Sequence, residues 1–179
     1  MRAFYILAVG LGLYAGLTML SARAAASDDS DENRIAILDN CDPADPAWAP
    51  TGGCLLKPGK GDVTVAEFGQ LLFSPLGGLY PIGHPSWRNQ PSYLTVERGE
   101  GVRIQNKGGR THTFTQVANF GGGRVPPLNG ALVQAPECLV STVVNLAPGA
   151  SANVTGLSSG LHKFQCCIHP WMRAAIRVE

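Results

Sequence analysis

The chain has 179 residues, of which 45% are hydrophobic and 15% charged, and its formal net charge is +1. That balance gives no basic surplus for binding nucleic acid. No segment repeats, and the length past the N-terminal signal segment and the acidic tail that follows it, about 145 residues, suits one domain.

Arg2 forms a short basic start, and Ala3 to Leu20 is an apolar stretch of the kind found in signal peptides. Both Ala22-Arg23-Ala24 and Ala24-Ala25-Ala26 fit a small-x-small cleavage site, so residues 1–26 read as a signal peptide. A retained anchor is the alternative, because the apolar stretch is near the length that spans a bilayer. Cleavage predicts a periplasmic or secreted protein with no stable membrane insertion. Residues 27–33, Ser27-Asp28-Asp29-Ser30-Asp31-Glu32-Asn33, carry no apolar side chain and read as an acidic flexible tail.

Residues 34–79 read as an N-terminal extension packed on the core. Within it, Thr64-Val65-Ala66-Glu67 has capping-box spacing, and Phe68, Leu71 and Leu72 follow at helical intervals. The spacing predicts a short helix, packed on the core and away from any metal site.

From residue 80 the pattern is β. Two alternating runs between Pro91 and Asn106 flank a turn at Arg98-Gly99, and Lys107-Gly108-Gly109-Arg110 is a second turn. It leads into the β-branched run Thr111-His112-Thr113-Phe114-Thr115-Gln116-Val117. Further strands are predicted at 141–144, 151–154, 161–166 and 174–178, with turns at Pro148-Gly149 and Ser158-Ser159-Gly160. Short strands at this spacing indicate an all-β sandwich or barrel.

Between the last two strands lies the most specific signal, Cys166-Cys167-Ile168-His169-Pro170-Trp171-Met172. A thiol, an imidazole and a thioether stand at i, i+3 and i+6. Soft sulfur donors with imidazole select copper, and two His and one Cys with a weak axial Met make a blue-copper electron-transfer site. The loop supplies Cys166, His169 and Met172, so a second imidazole must come from upstream. Of the four histidines, His162 lies four residues from Cys166 on an extended strand, roughly 13 Å away. His84 and His112 remain. Cys167 is disfavoured as the thiolate, because the even-numbered face, with Phe164 and Cys166, is the inner one; Gln165 and Cys167 would point away.

The five cysteines fit this reading. With Cys166 as a thiolate, Cys41, Cys54, Cys138 and Cys167 form an even set for an oxidising compartment. Sequence alone allows three connectivities. The turn-rich stretch between Cys41 and Cys54 favours that pair, worth roughly 3 kcal/mol, which leaves Cys138 with Cys167 or both as free buried thiols.

Gly99-x-x-Val102-x-x-x-Asn106-x-x-x-x-x-His112-Thr113, followed by Cys166-x-x-His169-Pro170-x-Met172, resembles the cupredoxin family. The short ligand loop is most similar to the plastocyanin and amicyanin type. The resemblance covers residues 80–179. It implies a Greek-key β-sandwich binding one type 1 copper ion, with metal ligands His112, Cys166, His169 and Met172. His84 then becomes a turn residue bonded to backbone. The resemblance further implies a one-electron carrier rather than an enzyme. Pro170 and Trp171 beside the loop imidazole His169 suggest an apolar patch where redox partner proteins dock. Trp171 either contributes to that patch or packs beneath the loop.

Thr113 stands where many relatives have Asn, so its hydroxyl is expected to brace the ligand loop. The Gly- and Pro-rich stretch from Phe120 to Cys138, like residues 34–79, has no counterpart that assigns it a role. Two other functions stay open: a copper store or chaperone, and a copper-free binding module. The histidines are too few for the extra centres of a multicopper oxidase.

Overall fold

Alternation of apolar and polar side chains sets the strands. In β1 (Arg34–Leu38), Ile35 and Ile37 are buried while their neighbours are half-exposed. In β4 (Val102–Asn106) the buried positions are Val102, Ile104 and Asn106. In β10 (Arg173–Val178) they are Ala174, Ile176 and Val178. Period 2 puts each set on one face. The computed structural model describes residues 33–72 and 83–179. The expected signal segment, and the acidic tail before Asn33, lie outside the described residues.

Two four-stranded sheets face each other, giving an all-β sandwich with one short α-helix. The first has the order β2 (Arg88–Gln90), β1, β4, β8 (Ser151–Val154). The second runs β3 (Tyr93–Val96), β10, β9 (Gly160–Gln165), β6 (Thr115–Val117). A two-stranded ribbon joins β5 (His112–Thr113) to β7 (Asn145–Leu146). The core between the sheets sets Ile35, Ile37, Val102 and Ile104 against Val96, Phe164, Ala174, Ile176 and Val178. Each large aliphatic side chain there contributes roughly 1.5–3 kcal/mol through burial.

β1 and β2 received no strand assignment from sequence. β1 is an inner strand, parallel to β4 with Ile35 opposite Ile104 and antiparallel to β2 with Ile37 opposite Asn89. Its partner in β4 is far along the chain, so no local turn announces the pairing. Two further differences concern downstream strands. The strand expected at 141–144 is instead the short β7 at 145–146, because Val143 packs into the small cluster around Cys138 and Cys167 while Val144 stays exposed. The run 111–117 breaks at Phe114 and serves two sheets, with Phe114 stacked on Phe164 at 4.6 Å.

α1 (Val65–Leu72) forms as its cap predicts, the Glu67 amide donating to Thr64 Oγ1 at 3.1 Å. Its Phe68 ring joins Trp48, Trp87 and Trp171 in one aromatic cluster, with centroids 4.9–5.9 Å from it.

The stretch from Phe120 to Cys138 is a fastened cover. Gly122 and Ala135 bond back across it, and the Asn129 side chain holds both the amide and the carbonyl of Gly123. Gly123 abuts Cys167 so closely that an added Cβ would lie 2.2 Å from the Cys167 carbonyl oxygen. Gln165, expected to face solvent, is fully buried beneath this cover; it accepts from the Gly121 amide and donates to the Gly121 carbonyl. Both faces of β9 are therefore covered at its C-terminal end, where Phe164 and Gln165 are both buried, and the alternation rule fails at Gln165 for that reason.

Candidate metal centre

The site forms where β5 and the β9–β10 loop meet at one end of the sandwich. His112 is carried by β5, paired to Leu146 of β7. The loop closes on itself: the Cys166 amide donates to the Met172 carbonyl at 3.0 Å, and the Met172 amide to the His169 carbonyl at 2.9 Å. This turn folds Cys166 and His169 toward each other, with His112 reaching them from across the sandwich.

Three candidate ligand atoms converge. Cys166 Sγ is 3.9 Å from His112 Nδ1 and 3.7 Å from His169 Nδ1. The two Nδ1 atoms are 3.2 Å apart, and all three ligand atoms lie within 4.8 Å of one another. Cys166 and His112 are fully buried, Met172 is 1% exposed and His169 6%. Met172 is tied to Cys166 and His169 through its backbone at the close of the loop.

The sulfur is braced. The amides of Thr113 and His169 each approach Cys166 Sγ at 3.4 Å, and hydrogen bonds of this kind favour the thiolate. Thr113 supplies the expected brace in two ways, since its hydroxyl also accepts from the Cys167 amide at 2.7 Å. The next residue is anchored too: Cys167 pairs with Cys138, and Cys41 with Cys54, leaving Cys166 as the free cysteine among the described residues.

Sequence reading missed one residue of the site. Asp39, just after β1, places Oδ2 2.6 Å from His112 Nε2, and both side chains are fully buried. Its carboxylate also accepts from the amides of Gly109 and Arg110 at 2.9 and 3.1 Å. A histidine whose far nitrogen donates to a carboxylate is fixed in ring orientation and tautomer, leaving Nδ1 to face a metal. The contact spans 73 residues of sequence, and a lone Asp after a strand reads as a turn residue. Its clearest signal was the buried pattern of β1, which delivers it.

Charge follows from these contacts. Burial alone would push the Cys166 thiol up, but its hydrogen bonds to His112 and His169 hold it well below the ordinary 9.0. Burial would lower His112, yet the bonds to Asp39 and Cys166 outweigh it and raise the imidazole to about 9. Burial likewise opposes the Asp39 carboxylate, and His112 with the two amides still holds it below its ordinary value. His169 is lowered by burial, against the pull of Cys166. In the metal-free centre these contacts favour the thiolate form of Cys166, the imidazolium form of His112, the neutral form of His169 and the carboxylate form of Asp39.

The remaining predicted residues separate cleanly. His84 Nδ1 accepts from the Ser86 amide at 3.0 Å, the expected turn contact, and its Nε2 meets Glu67. His162 sits at the rim, bonded to Gln116 and the Ser158 carbonyl. Trp171 is half-buried, 5.5 Å from the His169 ring and 5.9 Å from Phe68. The helix expected away from the site is therefore linked to it: Phe68 supports Trp171, which packs on His169. Pro170 is fully buried. The His169 ring borders a cleft of about 140 Å³ lined also by Gly52, Leu55, Arg110, Pro148 and Ile168.

No protein family and no curated protein matches the chain. Solved structures do. A purple cupredoxin from Nitrosopumilus maritimus aligns at 16% identity over 82% of this chain and 98% of its own, with a TM-score of 0.39. A reduced Cu(I) amicyanin variant aligns at 22% identity over 51% of this chain and 73% of its own, with a TM-score of 0.36. A second reduced amicyanin variant gives the same values. These likenesses are loose, and the fold described above rests on its own strand order.

Proposed function

We propose that the chain is an exported one-electron carrier that holds a single type 1 copper ion through His112, Cys166, His169 and Met172. The observation that carries this reading is the convergence of a buried, amide-braced cysteine sulfur with two imidazole Nδ1 atoms. One soft anionic sulfur, two imidazoles and a thioether are the donor chemistry of blue copper. Zinc sites of structural type close with four ligands dominated by thiolates, and a lone Met would be an unusual member.

Bound copper would supply the Cu(I)/Cu(II) couple. The protein's part is to keep the donors still through that change. Asp39 holds His112, Thr113 holds the loop through Cys167, and the loop's own hydrogen bonds hold Cys166 against His169. None of these contacts requires a metal, so the site is preformed and electron exchange needs little rearrangement. The exposed edge of His169 is the exit, and redox partners dock over it with Pro170 and Trp171 forming the support behind the ring. Full burial of the sulfur argues against a store or chaperone, which hands copper over through exchangeable ligands. The two disulfides suit export to a periplasm or beyond.

Voltammetry of the copper-loaded chain tests the carrier role. One reversible one-electron couple per chain is expected, and it should be lost in His112→Ala. Irreversible cycling with copper released on reduction would instead assign storage.

A further inference from the structure

The loop from Thr51 to Lys60 brings a second feature to the His169 end of the molecule. Leu55 is 70% exposed, although its backbone is fixed: its amide donates to the Gly109 carbonyl at 2.9 Å, and Cys54 before it is bonded to Cys41. Arg110 ties the same loop down through the carbonyls of Thr51 and Gly53. A fixed loop that leaves a leucine in solvent forgoes the stabilisation that burial would give it. Leu55 and Pro148 line the cleft beside His169, and both also line an adjoining groove of about 550 Å³. That groove carries three exposed lysines, Lys57, Lys60 and Lys107. Its one carboxylate, Asp39, is buried and engaged with His112. The whole chain is almost neutral, 14 basic residues against 13 acidic, so this positive rim is local.

We infer that the face centred on Leu55 and Pro148, rimmed by Lys57, Lys60 and Lys107, docks a redox protein with an acidic surface beside the edge of His169. The inference rests on the carrier reading above. An apolar centre with a charged rim is the usual anatomy of a transient interface. Complementary charge sets encounter rate more than final affinity, as a carrier that must release its partner requires.

The test uses the copper-loaded chain and its Lys57→Glu/Lys60→Glu/Lys107→Glu variant in stopped flow. The reduced protein gives one electron to hexacyanoferrate(III), yielding hexacyanoferrate(II), with no bond made or broken and no proton moved. At low ionic strength the variant should react about tenfold or more slowly, within the range of electrostatic steering. The difference should shrink in high salt, where the screening length is a few ångströms. With the trication tris(phenanthroline)cobalt(III) the order should reverse. A deca-glutamate peptide, as a stand-in for an acidic protein surface, should compete for this face and slow electron transfer from the wild type to hexacyanoferrate(III), and should leave the variant's rate unchanged. Equal rates for wild type and variant with both oxidants, while the visible copper band is intact, would overturn the inference and leave the carrier reading standing. Absence of that band in the wild type would end the carrier reading, and the docking face with it. Adsorption to anionic lipid vesicles, or a dimer that buries Leu55, with no effect of the peptide, would assign the face to another occupant and contradict the proposal.

Discussion

At the residue scale, the contact between Asp39 and His112 makes the clearest predictions. Asp39→Asn removes a buried negative charge next to a metal-facing imidazole while keeping a similar shape. Loss of such a carboxylate brace lowers metal affinity by about 10–100-fold. Because the carboxylate favours the more positive oxidation state, the substitution should also raise the reduction potential. Competitive copper titration and voltammetry would read both; an unchanged potential would show that Asp39 serves only to hold the Gly109–Arg110 turn. The same contact predicts the titration of the metal-free protein. His112 is raised from 6.5 to about 9, so its imidazolium contributes stability in full below 6.5 and loses that contribution as pH rises through about 9. Cys166 has the opposite sign: its thiolate contribution is complete above 9.0 and is lost as pH falls through its lowered value. NMR of the metal-free chain should therefore show the His112 ring protonated at pH 8. A His112 midpoint at or below 6.5 would contradict the charge pattern.

At the element scale, the cover from Phe120 to Cys138 and the helix α1 act on the ligand loop from its two sides. Cys138→Ala/Cys167→Ala cuts the pin between the cover and the residue next to the thiolate. A crosslink closing a loop of 29 residues is worth about 3–4 kcal/mol on the chain-entropy model. Denaturant unfolding should show a loss of that order, and a loss under about 1 kcal/mol would mean that Gln165 and Asn129 hold the cover without it. Trp171→Ala removes the ring between Phe68 and His169. It should leave copper bound but loosen His169, slowing electron exchange; unchanged exchange kinetics would show that α1 and Trp171 do not support the exit. These elements also mark what sequence could convey. The helix was legible because its cap and apolar spacing are local. The cover was not, because its partner is the outer face of β9, which only the folded chain brings to it. Gln165 looked like a solvent residue for the same reason.

At the scale of the whole molecule, the sandwich delivers side chains from distant parts of the chain to one end. The approach of Cys166 to His169 was legible because their spacing lies within one loop. His112 came through resemblance to a known pattern, since spacing alone left His84 open beside it. Asp39 was hidden because β1 enters the sheet by pairing with a strand far along the chain, which no local periodicity reports. The core and disulfides hold these pieces in place before any metal arrives, so copper should add stability by mass action rather than drive folding. Thermal unfolding should be cooperative without copper and shift upward with it. An unfolded metal-free chain would contradict the preformed site.

The visible spectrum of the copper-loaded chain, taken beside that of Cys166→Ala, tests the central claim most directly. An intense red-region band from sulfur-to-copper charge transfer, present in the wild type and gone in the variant, is the predicted result. Copper bound with no such band, or a band that survives the loss of Cys166, would contradict a blue-copper centre at His112, Cys166, His169 and Met172.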